Sequence, residues 1–112
     1  MKNEVIKTIY NAIEDKKGED IRILDISNVT VIADYFVIAT GNNPNQVKAI
    51  ADNVSEELYK KHGLTVKQTE GYNSATWILM DYGDYIVHIF DKEERFFYDL
   101  ERIWRDGKEI NM

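Results

Sequence analysis

The chain of 112 residues contains no cysteine. That excludes a disulfide framework and a thiolate metal site, and it fits a reducing compartment. A single proline and a 44% apolar content leave little room for a disordered, proline-rich tail. No apolar run approaches the roughly 18 residues that a membrane span needs. The first residues, MKNEVIKTIY, carry charges where a secretory leader would have its apolar core, so the expected location is cytoplasmic. Basic residues are also in short supply, 14 against 20 acidic, a formal net charge of −6. An acidic surface repels phosphate backbones, and no basic stripe is present to bind nucleic acid directly. A basic protein is the better electrostatic match for such a surface.

What the sequence does contain reads as one domain over residues 1–112. Val5, Ile6, Ile9, Ala12 and Ile13 recur at helical spacing, which predicts a helix over 3–15 stopped by a left-handed Gly18. Residues 21–26 read as a short strand. Asp25, Ser27 and Asn28 open a turn, because their side chains bond locally to the backbone. Residues 35–40 are apolar on both faces and are predicted to be a central strand. Asn43 is a natural helix cap, Pro44 a favoured first helical residue, and Gln46 completes a capping box. The helix they start carries Val47, Ile50, Ala51, Val54 and Leu58 on one stripe and ends at Gly63. Residues 64–70 are predicted as an edge strand, and 75–81 and 85–90 as a hairpin joined by Tyr82, Gly83 and Asp84. Asp91 caps a last helix whose apolar face is Phe96, Phe97, Leu100, Ile103 and Trp104, and a polar tail follows from Arg105. The expected fold is α/β (α+β), a single compact domain with a five-stranded mixed sheet flanked by helices.

The candidate chemistry is sparse. A strand, Gly41, Asn42, Asn43 and a helix offer amides to an anion. The glycines and the Lys-Ser/Thr pair of a phosphate loop are missing, however, and helix capping explains the segment. A nucleotidyl transferase would need a Gly-Ser step and paired carboxylates along one strand to hold magnesium. Asp81 and Asp84 instead bracket a turn. With two separated histidines, no cysteine and no base beside a serine, no catalytic residue, metal ligand or cofactor is expected. His88, in mid-strand, reads as a structural histidine bonded to a neighbour. The remaining constellation is aromatic. Trp77, Leu79 and Asp81 share one face of their strand, and Ile78 and Met80 share the other. If the first face is partly open, Trp77 and Leu79 form an apolar anchor rimmed by Glu70, Asp81 and Asp84. If the sheet is covered on both faces, Trp77 is a core residue. Both readings stand at this level.

The order and spacing of the motifs resemble one family, the ribosomal silencing factors or Iojap-like proteins. The resemblance rests on Asp25-Ile26-Ser27, ADYFVI over 33–38, Thr40-Gly41, and QVKAIA over 46–51. It continues through Glu70-Gly71, WILMDYGD over 77–84, VHIF over 87–90 and FYDLERIW over 97–104. It covers nearly everything after the first helix. The resemblance implies a translation repressor without enzymatic activity, built on a nucleotidyltransferase-like sheet that has lost its active site. Such proteins bind the large ribosomal subunit through its fourteenth ribosomal protein, a basic one, and keep the small subunit from joining. Free members self-associate as homodimers. Carried onto this chain, Trp77 and Leu79 become the anchor and Asp81 and Asp84 the partners of lysines or arginines. Glu70, Tyr98 and Leu100 are further contacts. The alternatives are a nucleotidyltransferase-like enzyme and a generic dimerisation module.

Overall fold

In helix α1 (Lys2–Asp15), Val5, Ile6, Ile9, Ala12 and Ile13 all point inward, as their spacing requires. The computed structural model describes residues 2–93 and 108–110. The helix stop differs from expectation. Lys17, with φ 65°, takes the left-handed position, and the Gly18 amide bonds back to the Ile13 carbonyl at 3.0 Å. Gly18 is needed for space instead, since a Cβ there would stand 2.3 Å from the Ile13 side chain.

Strand β1 (Glu19–Asp25) leads through a loop to β2 (Tyr35–Gly41). Helix α2 (Pro44–His62) follows, capped by Asn43, whose Oδ1 accepts from the Gln46 amide at 2.9 Å. The Gln46 side chain reaches one residue further back than a simple capping box, accepting from the Asn42 amide at 2.6 Å. Its other end donates to the carbonyls of Lys16 and Lys17, tying the start of α2 to the end of α1. Gly63 closes α2 in the left-handed region (φ 66°), with its amide on Tyr59 and that of Leu64 on Leu58.

Three further strands are β3 (Gln68–Glu70), β4 (Trp77–Asp81) and β5 (Tyr85–Asp91), and a sixth, β6 (Lys108–Glu109), lies in the tail. The order across the sheet is β3-β4-β5-β2-β1-β6. The β2–β5 pair is parallel and the other described pairs are antiparallel, so the sheet is mixed as expected. It has six strands rather than five. A two-residue strand carries no periodicity to read. It is held by pairing with Leu24 and Asp25, by the Ile110 amide on the Ile23 carbonyl, and by a bidentate Arg22–Glu109 ion pair at 2.7 Å. Two predicted strands are shorter. Residues 64–67 are not strand, and Leu64 and Val66 instead pack against the core. The strand expected from residue 75 starts at Trp77, because Ala75 adopts φ 56° and bonds to the Gly71 carbonyl. Of the helix expected after Asp91, Lys92 and Glu93 are helical, and the rest, with Tyr98 and Leu100, lies outside the described residues.

Helices α1 and α2 lie on the same face of the sheet. There, Ile9, Ile50, Val54, Val37, Val87 and Ile89 join one buried cluster. The opposite face carries a second cluster of Leu24, Ile26, Ala33, Phe36, Ile38, Ile86 and Phe90, to which neither α1 nor α2 contributes. Trp77 and Leu79 pack at its margin.

Candidate functional site

Strand β4 alternates half-buried, buried, half-buried, buried, half-buried from Trp77 to Asp81. Ile78 and Met80 therefore face the helices, and Trp77, Leu79 and Asp81 face away from them. Trp77 is thus half-buried, neither fully open nor sealed in the core. Neither α1 nor α2 covers it, and its ring is not free-standing. In the β4–β5 register Trp77 sits opposite Phe90, and the two rings stack with centroids 4.9 Å apart. Such cross-strand aromatic pairs hold both partners in place.

The indole is fixed by a second contact. Its Nε1–H donates to Nδ1 of His88 at 3.1 Å. Accepting there leaves the imidazole proton on Nε2, a buried atom with no partner among the described residues. The edge of Phe36 packs against the same imidazole at 4.8 Å. Burial disfavours the charged ring and pushes the His88 pKa down to about 4. At neutral pH the ring is thus an uncharged acceptor. The expected structural histidine is found, with Trp77 as its partner.

The entrance to β4 is built by a tight loop. Gly71 has φ 80°, and a Cβ there would lie 2.1 Å from the Trp77 carbonyl, so no other residue fits. Tyr72 pins this loop to α2, its hydroxyl donating to the Asp52 carboxylate at 3.0 Å, with the Lys48 ammonium 5.4 Å from its ring centre. Glu70, Gly71, Trp77 and Leu79 then line an open cleft of about 280 Å³. Glu70 pairs with Leu79 across the β3–β4 ladder, which places its carboxylate beside the apolar pair.

The acidic rim expected around Trp77 is divided. Asp81 lies four residues along β4, about 13 Å from Trp77 at the usual strand rise. One of its carboxylate oxygens accepts from the Gly83 amide at 2.7 Å and so shapes the hairpin turn. Asp84 is exposed beyond it. The structure thus brings together Trp77, Leu79 and Glu70, and sets Asp81 and Asp84 at the other end of the strand. Tyr98 and Leu100 lie outside the described residues. His88, Phe90 and Gly71 support the site but were not assigned to it from sequence. The glycine-tryptophan spacing, a Gly six residues before an aromatic strand start, was the available signal.

The other candidate chemistry has structural explanations. At the start of α2 the Gln46 amide is taken by Asn43, Pro44 has no amide proton to offer, and the adjoining hollow is of mixed charge, lined by Asp91, Lys92 and Glu93, so helix capping accounts for the segment. Nε2 of His62 lies 2.9 Å from Thr8 Oγ1 at a helix–helix joint. Among the described residues no group of three or more His, Asp or Glu is placed to hold a metal, and no helix is long and apolar enough to cross a membrane.

Comparison with known proteins gives a consistent match. The family model described as ribosomal silencing factor during starvation matches residues 1–112. Ribosomal silencing factor RsfS of Bacillus subtilis is 42% identical over 92% of this chain and 86% of its own length. That of Halalkalibacterium halodurans is 38% identical over 97% of this chain and 92% of its own. A crystal structure of a Bacillus halodurans protein superposes with a TM-score of 0.85 at 35% identity, covering 98% of this chain and 99% of that one. A Chromobacterium violaceum crystal structure gives 0.87 at 37% identity, covering 98% and 90%.

Proposed function

This chain belongs to the ribosomal silencing factor family, and from that premise we propose that it binds the large ribosomal subunit and blocks joining of the small one. The partner is a basic protein on the inter-subunit face, the fourteenth of the large subunit, which the family resemblance implies. The action is steric. A folded domain seated where the other subunit must land represses translation without a chemical step, in the cytoplasm.

The observation that carries this reading is the half-buried Trp77–Leu79 pair on the sheet face away from both helices, with Glu70 beside it. Tryptophan is among the residues most often found as the anchor of a protein interface. The Trp77 ring is held by Phe90 and His88 before any partner arrives, so binding loses little side-chain entropy. Asp81 and Asp84, at the far end of the strand, contribute mainly to steering a cationic partner.

The test is sedimentation of purified subunits with increasing amounts of the protein. Separate subunits should accumulate, with the protein travelling on the large one. Full assembly at saturating protein would refute the reading. Calorimetric titration with nucleotide and magnesium should give no binding heat, and a saturable signal would revive the enzyme alternative. A Trp77→Ala chain that turns from dimer to monomer yet keeps subunit binding would make this face a dimer interface instead.

A further inference from the structure

Three aliphatic side chains within four residues point into solvent. Val31 is 103% exposed, Ile32 67% and Val29 40%. All three lie in the loop of residues 26–34 between β1 and β2. Single exposed aliphatics are ordinary, but a contiguous group on one loop marks a contact surface. The loop is also internally braced. Asp25 Oδ1 accepts from the amide and hydroxyl of Ser27 at 3.0 and 2.6 Å. The amides of Val29 and Thr30 both bond to the Ile26 carbonyl, and Thr30 Oγ1 accepts from the Ile32 amide at 3.2 Å. At the exit, the amides of Asp34 and Tyr35 both donate to the Asp84 carbonyl, joining the loop to the β4–β5 hairpin. Its two feet, Ile26 and Ala33, are buried in the cluster whose margin carries Trp77 and Leu79. The loop is therefore rooted in the same sheet face and presents its aliphatics outward from it.

We propose that this loop is a second docking element of the Trp77 face, inserting Val31 and Ile32 into an apolar depression on a basic protein surface. The charge around it selects that occupant. Asp84 faces solvent on the attached hairpin, and the whole chain carries −6. A phosphate backbone would meet like charge there. A lysine- or arginine-rimmed pocket would meet the opposite charge. The inference rests on the proposed large-subunit reading. It adds a second contact at the end of the sheet where Asp81 and Asp84 lie, at a distance from the Trp77 cleft.

The decisive experiment measures binding to purified large subunits for the unaltered chain, the double variant Val31→Ser/Ile32→Ser, and Trp77→Ala. Because both loop positions are exposed, the double variant should unfold at an unchanged midpoint while binding about tenfold more weakly or worse. A single Val31→Lys chain should also bind more weakly, most of all at low salt, because it sets a cation against a basic partner. If the double variant binds within about twofold of the unaltered chain while Trp77→Ala has lost binding, the loop is idle and only the Trp77 reading survives. If the unaltered chain does not bind the subunit, both fall together. Should sedimentation velocity show a self-association that the double variant abolishes while subunit binding persists, the loop belongs to a second copy and the proposal is overturned.

Discussion

On the helix-covered face of the sheet, Val37, Val87 and Ile89 are sealed from solvent in one cluster with Ile9, Ile50 and Val54. Across the same strands, Phe36, Ile38 and Phe90 are also buried, but the flanking Trp77 and Leu79 are only half-buried and a polar group, His88, sits in their midst. The first face is mainly aliphatic, with Tyr82 and Tyr85 among its buried residues, and is covered by α1 and α2. The second is aromatic, carries a buried imidazole and ends in a cleft. Aliphatic packing specifies a fold through volume alone, whereas an aromatic margin with a fixed hydrogen bond presents a defined shape to something else. The two faces should therefore respond to substitution in opposite ways, one through stability and the other through binding.

The largest effect is expected on the helix side. Leu58, on the inner side of α2, is fully buried, and Leu58→Ala should lower unfolding free energy by about 2 to 5 kcal/mol through lost transfer energy and a residual cavity. Denaturant melts measure this. Subunit binding by the fraction still folded should be unchanged, and a specific binding defect would break the division between faces.

Trp77→Ala is the counterpart on the other side. Removing the anchor should cost about 2 to 4 kcal/mol of subunit binding. The domain should still melt cooperatively, because Phe90 and Ile86 keep their own burial in the second cluster. A cosedimentation isotherm beside a thermal melt separates the two quantities. Equal losses in both would mean that Trp77 is a core residue.

His88 sharpens the comparison further through pH. In the unfolded chain its imidazole takes up a proton below about pH 6.5, whereas in the folded chain burial delays protonation to about pH 4. Its folded pKa is depressed, so the neutral ring's stability is fully present above pH 6.5 and is lost as pH falls from there to 4. At 1.36 kcal/mol per unit this amounts to about 3 kcal/mol. Carboxylates titrate in the lower part of the same window, so the measurement is a difference between the unaltered chain and His88→Gln. The variant should lose stability less steeply between pH 6.5 and 4. Parallel curves would show that His88 is not the group responsible.

These contrasts were only partly legible in the sequence. The caps of α2 were readable because Asn43, Pro44, Gln46 and Gly63 act on their own neighbours. The alternation Trp77-Ile78-Leu79-Met80 was readable because a strand has period two. The left-handed residue at the end of α1 was misassigned to Gly18 because local composition names the permissive residue, while packing against Ile13 chose Lys17. β6 was invisible because its ion pair, Arg22 with Glu109, joins residues 87 apart. The support of Trp77 by His88 and Phe90 was hidden for the same reason. It depends on the β4–β5 register, which is set by the hairpin turn and not by the residues that meet. The acidic rim was overestimated because closeness in sequence was taken for closeness on the surface. A strand separates its ends by the full rise of each residue.

That separation leads to the smallest expected effect. If Asp84 belonged to the Trp77 anchor, Asp84→Asn would speed dissociation and cost as much as breaking a desolvated pair. Exposed on the hairpin at the opposite end of β4, it should act through long-range attraction to a cationic partner. The association rate should then fall a few-fold at low salt, the dissociation rate should hardly change, and the equilibrium cost should stay below about 1 kcal/mol. Raising ionic strength should erase the difference, since exposed charges more than about 8 Å apart are screened at physiological salt. Stopped-flow association at two salt concentrations reads this directly. A defect confined to the dissociation rate and indifferent to salt would place Asp84 inside the buried contact and join the two ends of the strand into one site.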